Sequence, residues 1–354
     1  MPQGAMTGRR SRPADWLRAH APIPSRAMPD KPADPLVTVI TPVRNGAEDI
    51  AQLLACLERQ TLPRDRWEIV IGDDGSTDGG TDGIETADGH VRVTPGPPLN
   101  SYATRARAVS HARGSILAFC DADCRPEPEW LERGIAALET TDVVLGRFRF
   151  DVREPRTVWT LIDMDGSKDH ELQVKLGVGE TANLFIRRSL YDRVGGLDGS
   201  IAEYGDFEFV ERCVESGAEL TFGGDAVVWH PTRSSGKSLL RALWKYNRGY
   251  AVHAGRRGEV PEAVRLRSWV PLVQTVRSRR RFGYSVGPNK RWLADNGVEP
   301  TVRELALALP ILYVVIPYLR SFAQFAGWRE GRGLRRRGEQ AKPAVSLAGA
   351  AGER

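Results

Sequence analysis

Ile116–Asp123 reads Ile-Leu-Ala-Phe-Cys-Asp-Ala-Asp: five apolar residues, then two carboxylates one residue apart. An apolar run without polar alternation is the mark of a strand buried on both faces, the habit of parallel sheets covered by helices. Outward from it the same pattern repeats. Leu36–Thr41 (LVTVIT) is a β-branched run stopped by Pro42, and Ala47–Arg59 sets Ile50, Leu53, Leu54 and Leu57 at helical spacing. Trp67–Ile71 is strand-like and runs into the loop Asp73-Asp74-Gly75-Ser76-Thr77-Asp78-Gly79-Gly80. A short strand at Val91–Val93, a helix at Tyr102–Arg113 ended by Gly114, a helix at Pro128–Leu138 and a strand at Val143–Phe150 follow. Such alternation predicts an α/β fold, an open, mostly parallel sheet flanked by helices with right-handed crossovers. Past it, Trp159–Met164 and Leu172–Leu176 read as helical, Thr181–Ile186 as a strand, Phe207–Ser216 as a helix, and Leu220–Phe222 and Ala226–Trp229 as strands.

Ligands of open α/β sheets bind beyond the carboxyl ends of the strands, so the polar residues that follow each strand carry the chemistry. Asp73 and Asp74 stand at such an end. Carboxylates accept hydrogen bonds from a nucleobase N–H or a ribose hydroxyl and are poor partners for phosphate; the bland alternative is an Asx-rich turn. Asp121 and Asp123 stand at another. Paired carboxylates at the end of a buried strand are costly unless solvated or bound to a cation. Their hard oxygens suit Mg²⁺ or Mn²⁺, and a metal already bridging phosphates needs only one or two protein carboxylates. A solvated loop with helix-capping aspartates is the alternative there.

With the two acidic motifs in this order, the chain resembles the family 2 glycosyltransferases, inverting enzymes of the GT-A fold, over about Leu36 to His230. The resemblance implies a nucleotide-sugar donor, a divalent metal (Mg²⁺ or Mn²⁺) and single displacement onto an acceptor hydroxyl. Pro42-Val43-Arg44-Asn45 looks like the family's opening motif, which puts Pro42 and Asn45 beside the nucleotide. Asp73 and Asp74 match the nucleotide-binding pair, the first expected to meet the base. Arg105 matches an arginine common on the next helix, with Asp121 also on the nucleotide side. Asp121 and Asp123 match the metal-binding DxD, the second the firmer ligand, and His230 matches a histidine that touches diphosphate or metal. Thr181–Arg188, with Asn183, matches the strand bordering the acceptor, and Gly195-Gly196-Leu197-Asp198 the turn after it. Asp206 falls on the family's catalytic base, with Glu208 and Arg212 on the acceptor side. Two departures stand out: Gly205 replaces the acid that precedes the base, and Ala106 and Ala108 replace residues often Asn and Gly. Two rival readings are a nucleotidyltransferase, disfavoured because only Gly46 follows the first strand where a Gly-rich phosphate loop belongs, and an inactive binding scaffold, supported by Gly205 alone.

Charge divides the chain at the same place. Of 354 residues, positions 1–230 hold 26 basic and 37 acidic side chains, while the remaining 124 hold 24 and 8. The average of +5 thus joins an acidic part to a basic one suited to an anionic partner. Four cysteines without a CxxC pair exclude a disulfide scaffold and disfavour structural zinc. The expected organisation is a flexible tail at 1–35 without a signal peptide, the catalytic domain at 36–230, a basic helical extension at 231–300, an apolar membrane-associating segment at 301–328 and a basic flexible tail at 329–354. Leu305–Leu319 is apolar but holds Pro310 and Pro317, which argues against a simple straight helix, and a longer apolar stretch must include Arg320. An interfacial or re-entrant segment, a core helix and a single span are the three readings. The arginines after it suit the cytoplasmic face of the plasma membrane; without that contact the chain is cytoplasmic. The acceptor is a glycan, a lipid-linked saccharide or a small molecule. No nucleic-acid module accompanies the Arg, Trp and Tyr residues, so no nucleic acid is expected.

Overall fold

The computed structural model describes residues 35–152, 155–165, 168–264 and 290–339. The chain runs β1 (Val37–Val43), α1 (Ala47–Leu57), β2 (Trp67–Asp73), β3 (Val91–Pro95), α2 (Ser101–Ser110), β4 (Ile116–Cys120), β5 (Arg125–Pro126), α3 (Trp130–Ala137) and β6 (Val143–Asp151). It continues through α4 (Val158–Asp163), α5 (His170–Leu176), β7 (Asn183–Arg187), α6 (Arg188–Arg193), α7 (Gly205–Glu215), β8 (Leu220–Pro231) and α8 (Gly236–Arg257). Beyond these lie α9 (Lys290–Asp295), α10 (Val302–Pro310), a π-helical turn at Ile311–Val315 and α11 (Ile316–Arg336). The tail expected at 1–35 lies outside the described residues apart from Pro35, as do positions 265–289 of the basic extension.

Alternate residues of each central strand enter opposite cores. Val37, Val39, Ile69, Ile71, Ile116 and Ala118 join one, while Ile40, Val70, Leu117 and Phe119 join the other. Both faces are therefore covered, which is why these strands show no polar alternation. Each large side chain buried there contributes roughly 1.5–3 kcal/mol.

The eight strands lie in the order β3-β2-β1-β4-β7-β6-β8-β5. The β1–β2, β2–β3, β1–β4 and β6–β8 pairings are parallel, and β4–β7, β6–β7 and β5–β8 are antiparallel. The sheet is thus mixed, with its parallel half at the amino-terminal end. Val43 pairs with Asp73 and Asp73 with Pro95, so three strands end in line, and Phe119 opposite Ile40 brings the end of β4 to the same edge. From β1 the chain steps outward to β2 and β3, then crosses back through α2 to β4 on the other side of β1, so this edge holds the switch point at which such sheets open a crevice.

The two strands expected at Leu220–Phe222 and Ala226–Trp229 are one. β8 pairs with β6 through a register shift between Gly146 and Arg147, where Gly223 gives way to Val227. Gly224 and Asp225 read as a turn in sequence but form a bulge, which bends a strand without ending it.

The segment with the two prolines is helical throughout, with an irregular turn between them. Val302–Arg336 is one helical run of 35 residues, long and apolar enough by length and composition to cross a membrane, yet only 22% of its most apolar window is buried. The π-turn at Ile311–Val315 lies directly before Pro317, where a regular α-helix would lose an N–H and meet the proline ring. The arginines expected in a flexible tail from 329 continue α11 to Arg336. Arginine is a good helix former, and this turn is docked on α8. A Cβ on Gly327 or Gly331 would lie 2.2 Å from the carbonyl oxygen of Arg248 or Val252, so the two backbones touch. Gln324 donates to Asn247 in the buried seam, and Arg248 binds Glu203 and Glu330. Upstream, Ala308, Leu312 and Ile316 pack against Ile162 and Leu239.

Candidate active site

The sheet edge is shaped by two stitched loops. Asn45 takes the left-handed conformation (φ 53°), which the Asn side chain tolerates. Its Oδ1 accepts from the Thr77 N–H at 2.8 Å and its own N–H donates to Ser76 Oγ at 3.0 Å. Asp78 accepts from Ala47 N–H at 3.0 Å at the start of α1. Asp73 accepts from Ser76 N–H and Thr81 Oγ1, each at 2.8 Å. Burial raises its carboxyl pKa, but these hydrogen bonds hold it below the usual range. Asp74 Oδ1 accepts from Leu99 N–H and Thr104 Oγ1, each at 2.8 Å. A cleft of about 320 Å³ opens above, lined by Pro42, Asn45, Asp49, Asp74, Arg105, Asp121 and Asp123 among others. Most of the residues expected at the nucleotide therefore meet in one place. Asp73 does not line it: both its oxygens are spent on its own loop, and Asp74 faces the cavity instead.

The charges around the cleft are paired unevenly. Arg105, buried on α2, binds Asp121 Oδ1. Burial raises the Asp121 carboxyl, but Arg105, then Lys168 and His230, outweigh it and hold it low. Asp123 goes the other way, pushed up by burial and by Asp121 beside it. His230 Nδ1 meets the Pro231 carbonyl at 2.8 Å, so Nδ1 carries the proton and Nε2 presents its lone pair. That lone pair faces Asp123 Oδ2 at 3.9 Å. Burial, Lys168 and Arg233 lower the His230 pKa to about 4, so the ring is neutral at physiological pH. A neutral nitrogen facing a carboxylate at a distance too long for a hydrogen bond fits a hard cation between them. Among the described residues no group of three or more ligands is preassembled, so such a cation would draw its other ligands from phosphate and water.

Asp206 stands at the start of α7, next to Gly205. Burial, then Glu180, raise its pKa to about 6 against the pull of Arg105. Tyr102 donates to Asp206 Oδ1 at 3.1 Å. The same tyrosine explains Gly205. A Cβ there would lie 2.7 Å from Tyr102 Cδ2, so the ring occupies the room that the family's preceding acid would need.

Three residues expected on the acceptor side have other places. Asn183 is fully buried: its Oδ1 accepts from Trp130 Nε1 at 2.9 Å and its Nδ2 donates to the Arg147 and Ala226 carbonyls. Glu208 and Arg212 form a two-pronged buried pair at 2.8 and 2.9 Å, and Arg212 also holds the Val194 and Gly196 carbonyls. The bonds of Glu208 and Arg212 hold α7 to the turn after α6. Sequence reading missed Lys168 and Glu180, an ion pair whose charges act on Asp121 and Asp206, and Tyr102. The lysine lies in a polar turn with no strand before it. Glu180 carried the better signal, as the residue directly before the strand that contains Asn183.

The family model described as Glycosyl transferase family 2 matches residues 38–195. Glycosyltransferase AglE of Haloferax volcanii is 32% identical over 222 residues, 61% of this chain and 73% of that protein. A probable glycosyltransferase, YdaM of Bacillus subtilis, is 26% identical over 235 residues, 61% of this chain and 55% of that protein. Among solved structures, the mannosyltransferase PcManGT from Pyrobaculum calidifontis, in complex with GDP-Man and Mn²⁺, aligns with a TM-score of 0.51 at 19% identity, over 92% of this chain and 93% of that one, and shares the fold.

Proposed function

The chain belongs to the family 2 glycosyltransferases, and from that premise we propose that it moves a sugar from a nucleotide-sugar donor to an acceptor hydroxyl with inversion, in a single displacement. The observation that carries this reading is Asp206, a half-buried carboxyl with its pKa raised to about 6, hydrogen-bonded to Tyr102 and close to the Arg105–Asp121 pair of the cleft. A base with a pKa near operating pH is ionised in use and still takes up a proton.

Asp74, Pro42 and Asn45 hold the nucleoside, and Asp73 fixes the loop beneath them. Asp123 and His230 would hold a divalent cation, Mg²⁺ or Mn²⁺, whose charge when bound stabilises the departing diphosphate. PcManGT is in complex with GDP-Man and Mn²⁺, and the donor and cation proposed for this chain are of the same classes. The acceptor oxygen forms its bond to the anomeric carbon as the bond from that carbon to the diphosphate oxygen breaks. The electron pair leaves with the nucleoside diphosphate, and the hydroxyl proton passes to Asp206. Arg105 keeps Asp121 ionised and in place throughout. The basic extension at 231–300 and the segment at 301–328 rest the enzyme on an anionic membrane surface at the cytoplasmic face, as a peripheral or interfacial contact. The exposed apolar residues of α10 and α11 and the arginines beyond them support this.

Asp206→Asn tests the base. Transfer is expected to fall by at least about 10²-fold, while nucleotide-sugar binding, read by thermal shift, stays. Unchanged turnover would remove Asp206 from the reaction.

A further inference from the structure

Asp206 is carried by a stretch of backbone that its own sequence does not favour. Among the described residues, Asn45 and Tyr204 are the two non-glycine residues with positive φ. Asn tolerates the left-handed region, but for a bulky aromatic residue it is an outlier, and Tyr204 sits there at φ 72° and ψ 12°. Tyr204 is also the cap of α7. A short oxygen-bearing side chain usually accepts from the first turn at that place, and Tyr204 makes no such bond. The direction in which α7 sets out, with Asp206 as its second residue, is therefore fixed by packing.

That packing comes from α8. The buried Tyr204 ring stacks on Phe207 at 5.0 Å and is flanked by Tyr246 and Tyr250 at 5.6 Å and by His253 at 5.8 Å. Its hydroxyl donates to Glu211 Oε1 at 3.0 Å, and His253 Nε2 lies 3.0 Å from Glu211 Oε2. The residue before it is pressed by the same helix. A Cβ on Gly249 would lie 2.7 Å from Glu203 Cβ and 2.8 Å from its carbonyl carbon, and Arg248 binds the Glu203 carboxylate at 3.0 Å. Both sides of the 203–204 peptide are thus seated on α8. Two residues on, Asp206 Oδ1 accepts from Tyr102 and from the Phe207 N–H, each at 3.1 Å. Among the described residues nothing bonds to Oδ2, which leaves that oxygen for a proton from outside.

We propose that Tyr204 is a positioning residue for the transfer: held left-handed by α8, it aims Asp206 Oδ2 at the acceptor hydroxyl. The catalytic meaning rests on Asp206 being the base; the hold on its carboxyl stands without it. A ring buried only to fill space needs no left-handed backbone, and a left-handed tyrosine persists only where its surroundings over-determine it. Here the strain and the cage coincide two residues before the carboxylate. The titratable groups that act on Asp206 are Tyr102, Arg105, Lys168, Glu180 and Tyr246, and all lie outside α7. A change at Tyr204 that alters the titration of Asp206 therefore reports movement of the carboxyl itself.

The test uses the full chain with two readouts. The first is the carboxyl carbon of Asp206, titrated by NMR in protein labelled with ¹³C-aspartate and assigned by its loss in Asp206→Asn. The second is release of nucleoside diphosphate from UDP-glucose or GDP-mannose with Mn²⁺, water serving as the acceptor. Tyr204→Gly keeps the backbone angle accessible but removes the cage. It is expected to move the Asp206 midpoint from about 6 toward the ordinary value of about 4. It is also expected to lower kcat about tenfold or more with KM for the donor unchanged. Tyr204→Phe keeps ring and cage and is expected to titrate like wild type. A midpoint and kcat unchanged in folded Tyr204→Gly overturn the proposal, since a merely structural ring would alter the denaturant midpoint alone. If Tyr204→Gly does not fold, Gly249→Ala decides by pushing on Glu203 from α8: the same two changes support the positioning role, and their absence overturns it. A shifted midpoint together with full release by Asp206→Asn would sink the base and keep the hold, so the two errors give different results.

Discussion

At the scale of single residues, Asp206 ties function to stability with opposite signs. Transfer needs its carboxylate, so kcat/KM is expected to rise with pH through about 6, and Tyr102→Phe, which removes a donor to the carboxylate, is expected to move that limb upward in a pH–rate profile. For folding, the raised pKa means that the native state holds this proton more tightly than the unfolded chain. The penalty of carrying the charge is absent below about 4, grows as pH rises toward about 6 and is complete above that. Asp206→Asn is therefore expected to stabilise the fold at pH 8, by at most about 3 kcal/mol in chemical denaturation, and to give no gain at pH 4. Gly205→Ala is expected to cost about 1–3 kcal/mol through the clash with Tyr102, and the cost is expected to shrink in a Tyr102→Ala background. Denaturant midpoints of the four proteins measure both.

At the scale of elements, the Glu208–Arg212 pair decides whether α7 stays seated. Arg212→Met leaves a buried carboxylate alone and is expected to cost about 3–5 kcal/mol in chemical denaturation. A variant that is stable but inactive would instead restore Arg212 to the acceptor. The pair also shows the limit of reading sequence. β1, β2 and β4 were legible because burial on both faces leaves them mostly apolar and β-branched, and the motif aspartates because they stand at the ends of those strands. Whether a polar residue after a strand faces the cleft or the protein was not legible. Asp73 and Asp74 are adjacent and identical, yet only the second lines the cavity. Asn183 and Arg212 matched functional positions but bond through each of their nitrogens inside the fold, a three-dimensional fact without a local signature. The π-turn was hidden for a related reason: two prolines argue against a simple straight helix but do not say which irregular turn replaces it. Gly327→Leu places a side chain where the Arg248 carbonyl lies and is expected to pry α11 from α8, which increased tryptic cleavage at the arginines of α11 would reveal.

Over the whole molecule, the basic excess after position 230 and the exposed apolar face of α10 and α11 act together. The chain is expected to sediment with vesicles containing phosphatidylglycerol and to bind pure phosphatidylcholine vesicles more weakly, since each arginine near an anionic surface contributes about 1 kcal/mol. Rising salt is expected to weaken the first binding toward the second. Equal binding to both vesicles would assign the contact to the apolar face alone.

The shared volume of Tyr102 and Gly205 bears on how such a site changes over generations. A chain that holds the aromatic ring admits no side chain at the other position, whereas a chain that holds the glycine admits either a small or a large partner. The route between the two arrangements is cheaper in one order, glycine before ring. The two positions, distant in sequence, therefore behave as a single inherited character, and an aromatic residue at the first forecasts glycine at the second.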